Sequence, residues 1–501
     1  DFNLDTTPFS LEIWVKPNAQ KHNDSYQPAG PNDPIQTILS KRDFTTMTDG
    51  YDLRLNSSNN IISFNWNDIS NSDNSLVSPH AISANRWYHI AVTYENGTYT
   101  LYIDGIEMIN SGGGDAAPID NNYECIMGAM DQDAAGGNPD PINYYSGWLD
   151  ELRIWNVALS VEQIRQMMNQ EIAEIGPLLP DGTPSLPTPP ATLGDVQGIA
   201  VPMAIPNLTW ANLDGYYRMN RFEGDIVDGY VIANAGIRNG QMRNIVTWQE
   251  ETAPLPYTTD DPGDWNDVYT VGDGNGVDAN SPWTWGHSVW DHPNAKGIDG
   301  TTDIDWNIVQ TSHNITSTRS LHSTVGDKEL TLLGLLVSAG ELTITDSGTQ
   351  DETNNGQGLW VTHYLDLDGS IDLVGESQLV QKVYNNAPDQ VAESILEVNS
   401  AGRLERDQQG YLNLFNYNYW ASPVSAWPNT TANNADYLLS EVLWDGSVSS
   451  LPIGIEWIHA EHFPLVADDR PDPSLNCGID TPGLYCQMRY STEGVGGDGI
   501  T

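Results

Sequence analysis

The chain has 501 residues, too many for one hydrophobic core, so three or four modules are expected. Its 68 acidic residues against 20 basic ones give a formal net charge of −48, which repels nucleic acid and anionic membrane surfaces and attracts divalent cations. No apolar run approaches the roughly 20 residues that span a bilayer, which excludes direct insertion by a helix, and the N-terminus has no signal-peptide pattern.

Residues 9–15 (FSLEIWV) alternate apolar and polar side chains as a strand does, residues 37–41 and 51–55 (YDLRL) repeat the pattern, and residues 61–66 follow. Residues 85–94 (NRWYHIAVTY) run into an Asn96-Gly97 hairpin turn, and residues 99–103 (YTLYI) end at Asp104-Gly105. Short strands at this density, with no long helical pattern between them, predict an all-β antiparallel sandwich.

Residues 126–164 join an acidic cluster to a strand and a helix start. Asp131, Gln132 and Asp133 place two carboxylates and a carboxamide together, and Gly136-Gly137 lets the backbone turn its carbonyls to a common point. Hard oxygens of this kind suit Ca2+; the competing reading is an acidic surface loop. Trp148, Leu149, Leu152, Ile154 and Trp155 then mark a strand with polar positions at Asp150, Glu151 and Arg153, and Ser160 with Gln163 forms a capping box.

Three motifs carry a resemblance: W-x-H-x-A-x-x-Y at 87–94, L-Y-I-D-G at 101–105, and G-x-L-D-E-L-R-I-W-N-x-A-L-S at 147–160. They resemble the laminin-G-like, pentraxin-like jelly rolls of the concanavalin A-like superfamily. The resemblance implies a Ca2+ in the loop of Asp131, Gln132 and Asp133, held by side chains and a backbone carbonyl, with the ion helping to hold a ligand. It places further ligands at Asp43 and Asp49, while Asp140 and Asn143 could close the shell. A structural ion that stiffens the loops and an ion that touches a ligand both fit. Against the family pattern the chain starts after the first strand, so an excerpt of a longer protein is expected.

Cys477 and Cys486 bracket a Pro482-Gly483 turn, so a local disulfide is expected there, and Cys125 is expected to be a buried thiol. No Cys/His spacing suggests zinc. Residues 176–204 contain seven prolines, which predicts an extended linker over 173–206 between a jelly roll at 1–172 and a Trp-rich β connector at 207–300. Within that connector, residues 211–244 resemble the segment that trails laminin-G-like repeats in large surface proteins of gliding and marine Bacteroidetes. Trp265, Trp283, Trp285, Trp290 and Trp306 lie among Gly, Asp and Asn, and fit either sugar stacking or a core built on indoles.

Brief apolar pulses from residue 304 to 383, separated by turns with Gly340, Gly369 and Gly375 near the corners, predict a small parallel β-solenoid over 301–400, with an antiparallel sandwich as the alternative. A further β module is expected at 401–501. The blocks at 305–316, 370–381, 403–410 and 417–425 resemble the same Bacteroidetes surface proteins, which the type IX secretion system exports.

Glycoside hydrolases share the jelly-roll superfamily, and retaining ones need two carboxylates about 5 Å apart facing a cleft. Asp150 and Glu151 are adjacent and are expected on opposite faces. Asp303 with Asp305, and Asp366 with Asp368, have same-face spacing but sit at expected corners. No nucleophile elbow, zinc motif or phosphate loop occurs, so the chain is read as no enzyme. The expectation is an extracellular, outer-membrane-associated adhesin segment whose Ca2+-binding jelly roll takes glycan, matrix protein or cell-surface protein; the alternative is a spacer in a giant surface filament that contacts neighbouring copies or modules.

Overall fold

The computed structural model describes residues 2–4, 8–19, 35–68, 73–132, 139–175, 194–220, 222–223, 225–227, 229, 239–243, 251–267, 281–285, 288–317, 329–345, 356–381, 383–384, 391–392, 394–407, 442–445, 453–454, 456–459 and 486–489. They divide into two compact units. The first holds residues 1–310, 330–335 and 361–364, and the second holds the rest.

In the first unit the early strands are β1 (Phe9–Pro17), β2 (Ile35–Lys41), β3 (Tyr51–Asn56), β4 (Ile61–Asn67), β5 (Asp73–Ala81), β6 (Tyr88–Glu95), β7 (Thr98–Ile103), β8 (Ile106–Asn110) and β9 (Ile126–Met127). Next come β10 (Met130–Asp131), β11 (Pro141–Ile142), β12 (Gly147–Trp155), helix α1 (Val161–Met168), β13 (Ile172–Glu174), β14 (Asp195–Gly198), β15 (Ala204–Thr209) and β16 (Leu213–Tyr217). Two antiparallel sheets form the sandwich: β16-β12-β1-β6-β7-β8 and β5-β4-β3-β2-β9.

Alternation decides which side chains face inward. Phe9, Leu11, Ile13 and Val15 of β1 point into the core with Ile90, Val92, Leu53, Leu55, Ile62 and Phe64. Aromatic rings fill its centre: Trp66 stacks on Tyr99 at 3.9 Å between centroids, and Tyr94 lies 4.4 Å from Tyr99. The hairpins close where the sequence places its turns, because Asn96 (φ 51), Gly97 (φ 82), Asp104 (φ 52) and Gly105 (φ 73) take the left-handed conformation that two-residue turns require.

The outer face of the larger sheet is also covered. Every residue of β1 is buried, so Ser10, Glu12, Trp14 and Lys16 face protein instead of water. The cover begins with α1, opened by the expected capping box: Ser160 Oγ accepts from Gln163 N, and Gln163 Oε1 accepts from Ser160 N. Ile164 and Met167 of α1 pack with Trp155, Val196, Ile205, Leu208 and Tyr216. The extended linker expected over 173–206 therefore contributes strands at both ends, since β13, β14 and β15 form an antiparallel sheet. Burial of Val196, Ile205 and Leu208 against α1 outweighs the proline content there, and residues 176–193 lie outside the described set.

In the second unit, residues 315–317, 341–344, 370–373 and 403–406 form a parallel ladder in register, stacking Ile315, Leu342, Ile371 and Leu404. These are rungs of a parallel solenoid. Gly340 (φ 68) turns one corner, where a Cβ would lie 2.6 Å from the His313 carbonyl carbon. At the next two corners Ser370 N donates to Gly340 O at 2.9 Å and Arg403 N to Gly369 O at 3.0 Å. Unequal loops between rungs explain the irregular spacing in the sequence. Cys477 and residues 417–425 lie outside the described residues.

Candidate functional site

Two loops build the candidate metal site. Arg42 fixes the first: its guanidinium is fully buried, donates to Asp52 Oδ2 at 2.9 Å and to the Met47 carbonyl at 3.0 Å, and also bonds Asn67. The loop between these anchors carries Asp43 and Asp49. The second loop leaves β10 at Asp131 and returns in β11, with Met130 opposite Ile142.

A single parallel bridge joins Asp43 to Asp131, and Phe44 N donates to the Asp131 carbonyl at 2.7 Å. Thr45 Oγ1 donates to the Gln132 carbonyl at 2.7 Å. Asp49 lies on the same loop as Asp43, and the Tyr123 phenol, raised by burial, is pushed further by Asp49, Asp43 and Asp131. The contacts between the loops thus bring together three of the six expected residues, Asp43, Asp131 and Gln132, with Asp49 on the same loop as Asp43. Asn143 holds the β2 end instead, accepting from Thr37 N at 2.8 Å in a left-handed conformation (φ 54). Asp133 lies outside the described residues.

Most of these donors are engaged with protein. Asp43 accepts from Thr45 N at 3.0 Å, Thr46 N at 3.2 Å and Thr46 Oγ1 at 2.9 Å. Asp131 Oδ1 accepts from Asp140 N at 2.9 Å, and the Gln132 amide donates to Asp140 Oδ2 at 2.7 Å. Only Asp49 departs: its Oδ1 is buried with no hydrogen-bond partner among the described residues. Burial raises its carboxyl, Arg42 opposes that, and Asp43 adds to it. Among the described residues no three His, Cys, Asp or Glu side chains are arranged as a metal cage. The hard-oxygen chemistry fits Ca2+, but the arrangement shown does not amount to a formed site.

The expectation that Asp150 and Glu151 face opposite sides is corrected. Glu151 has φ 51 and sits in a β-bulge, with Trp14 opposite Asp150 and Glu12 opposite Arg153. The extra residue breaks the alternation. Both carboxyls turn to the α1 side: Asp150 accepts from Ala253 N at 3.0 Å, and Glu151 accepts from Tyr216 OH at 2.8 Å and from Arg153 at 2.5 Å. Burial first, and Glu151 second, push Asp150 up to about 8. At 6% and 1% exposure neither faces a cleft. The other spaced pairs brace turns, Asp303 pairing with Lys296 at 2.5 Å and Asp368 accepting from Ala401 N at 3.1 Å.

Trp265, Trp283 and Trp290 are buried. The Trp265 and Trp283 rings meet edge to face at 4.9 Å, and all three indole N–H groups donate to backbone carbonyls. Trp285 is 56% exposed. Cys125 is a free thiol whose pKa burial pushes up to about 11.

One feature escaped the sequence reading. Residues 83–87, between β5 and β6, together with Pro254, Tyr257 and residues 289–291, line a cavity of about 260 Å3 that includes Arg86, Trp87, Trp290 and Asp291. No local motif announces it, because its two walls are some 170 residues apart.

Residues 1–165 of the 501 match the family described as the concanavalin A-like lectin/glucanases superfamily, Laminin_G_3. C-reactive protein 1.1 of Limulus polyphemus is 30% identical over 93 residues, 18% of this chain and 38% of that protein. Adhesion G-protein coupled receptor V1 of Danio rerio is 22% identical over 169 residues, 32% of this chain and 2% of the receptor. The chain thus spans well under half the length of these relatives. Among solved structures, a native heptameric SAP-like pentraxin from Limulus polyphemus aligns at TM-score 0.24 and 16% identity, covering 32% of this chain and 70% of that one. A CBM40 of the Ruminococcus gnavus IT-sialidase, bound to α2,3-sialyllactose, aligns at TM-score 0.25 and 14% identity, covering 32% and 81%. Residues 1–165 thus match that superfamily, and their described strands fold as an antiparallel sandwich.

Proposed function

We propose that the jelly roll is a non-catalytic binding module for glycan or protein ligands in an extracellular adhesin, displayed at the cell surface of a Bacteroidetes-type organism through type IX secretion. The observation that carries this reading is the match of residues 1–165 to the lectin/glucanase superfamily on an antiparallel sandwich in which the adjacent carboxylates Asp150 and Glu151 are buried. Ca2+ belongs to the proposal as the ion of the paired loops. It is supported by the bridge that sets Asp43 beside Asp131 and by the uncommitted Asp49 Oδ1 on the same loop as Asp43.

A second reading, a spacer in a long surface filament, is favoured by the parallel ladder, since stacked rungs extend in one direction and bury a narrow core. Glycan-array and cell binding of the full chain, with and without EDTA and for Asp131→Asn/Asp133→Asn, separates the two. Loss of binding with an unchanged melting temperature supports the binding module. A fall in melting temperature with EDTA and no ligand on the array supports the spacer, and hydrolysis of a polysaccharide by the purified chain would overturn the non-catalytic reading.

A further inference from the structure

The cavity beside Arg86 lies outside the metal loops and is built with more polarity than packing needs. Trp87, Tyr257 and Trp290 give it aromatic walls, with Tyr257 meeting Trp290 edge to face at 5.9 Å. Trp290 is committed, its indole N–H donating to the Thr252 carbonyl at 2.9 Å. Trp87 is not: it is 94% buried, and its indole nitrogen has no hydrogen-bond partner among the described residues. A buried N–H donor without an acceptor is rare and costly unless a ligand or water completes it.

Arg86 and Asp291 stand where solvent still reaches, their side chains 23% and 29% exposed and joined at 2.6 Å. Asp104 lies 3.6 Å from the same guanidinium. One guanidinium thus sits among two carboxylates. An anionic ligand would meet Asp291, and a cationic one would meet Arg86, so the cavity selects against both signs. A neutral polyol suits it: vicinal hydroxyls can donate to the carboxylate and accept from the guanidinium and the indole N–H while the apolar ring face lies on an aromatic wall. About 260 Å3 is below the range of pockets for drug-sized ligands and suits one sugar ring.

We propose that the cavity formed by Arg86, Trp87, Tyr257, Trp290 and Asp291 is a subsite for one neutral pyranose unit of a glycan, separate from the Asp43/Asp131 loops. It rests on the glycan-binding reading above and gives that reading a second location. Two stretches far apart in sequence would then share one ligand, which makes the segment after the jelly roll part of the binding module.

The test uses the full chain labelled with 15N at the tryptophan indoles and titrated with methyl glycosides of glucose, galactose and mannose, with N-acetylneuraminic acid and choline as charged probes. At least one neutral glycoside should shift the Trp87 indole signal, assigned from Trp87→Phe, with a Kd on the order of 1 mM. Tyr257→Ala and Asp291→Asn should each weaken that binding at least tenfold, Tyr257→Phe should hold it within threefold, and Asp131→Asn or EDTA should leave it unchanged. If Tyr257→Ala does not fold, Asp291→Asn against Tyr257→Phe decides. The subsite is overturned if no neutral glycoside moves the Trp87 signal, if a charged probe binds in preference, or if Asp291→Asn binds as the parent does. Glycan-array binding that survives Asp291→Asn but is lost with Asp131→Asn removes this subsite alone; an array with no bound glycan removes the glycan reading itself.

Discussion

Arg153→Ala is the sharpest test of the buried layer between the large sheet and α1. The Arg153 guanidinium, fully buried, donates to the carbonyls of Met167 at 3.0 Å and Gln170 at 2.6 Å and to Glu12 and Glu151 at 3.4 and 2.5 Å. Burial raises both glutamates and Arg153 opposes that rise. His89 stays neutral, since burial first and Arg153 second push it down to about 3. Truncation at pH 7.5 leaves two buried carboxyls without their cation, and breaking a buried pair this way costs about 3–5 kcal/mol. Because burial raises both glutamates, lowering the pH to 4 shifts them toward the protonated form, so the loss falls toward that of hydrogen bonds and packing, roughly 1–3 kcal/mol. The sign follows from linkage: carboxyls whose folded pKa is raised stabilise below their unfolded value, and that contribution disappears as pH rises through the folded one. The assay is urea unfolding of the full chain, read by hydrogen exchange in peptides covering β1 and β12, at both pH values. Equal losses at pH 4 and 7.5, or a loss under about 1 kcal/mol at pH 7.5, would refute the reasoning.

Asp150 gives a second pH signature. With its carboxyl raised to about 8 by burial and Glu151, its contribution is full below about pH 4 and declines as pH rises toward 8. Asp150→Asn should lower overall stability, because the amide cannot accept from both Glu151 N and Ala253 N, and should flatten the pH slope by up to about 1.4 kcal/mol per unit between pH 5 and 8 in the same exchange assay. An unchanged slope would remove Asp150 as a titrating group. Gly340→Ala should destabilise the ladder, since Ala at φ 68 costs about 1–2 kcal/mol and its Cβ would press on the His313 backbone. Protection should fall in the strands at 341–344 and 370–373 and stay unchanged in β1 and β12; a uniform or null effect would refute the corner assignment.

Much of the scaffold was legible from local pattern. Alternation at 9–15 and 51–55, the turns at Asn96-Gly97 and Asp104-Gly105, and the Ser160/Gln163 capping box are short-range devices, and each forms where the residues place it. The parallel rungs were legible for the same reason, since a glycine must turn each tight corner. β5 was missed because DNSLVSPHA is an edge strand that buries only Leu76 and Ser78, so it carries almost no apolar period.

What the sequence by itself determined, then, is most of the sandwich strands and their turns, the sandwich itself and the oxygen-rich chemistry of the Asp131 loop. Tertiary structure alone decided which distant groups meet. It set Asp43 beside Asp131 through one bridge, turned Asp150 and Glu151 to the same side through a bulge, and buried Glu12 and Arg153 under α1. It also formed a cavity between residues 83–87 and Pro254, Tyr257 and residues 289–291. The physical reason is range: turns, caps and alternation are encoded within a few residues, whereas a bulge, a covered sheet face and a shared cavity depend on partners brought together only when the core packs.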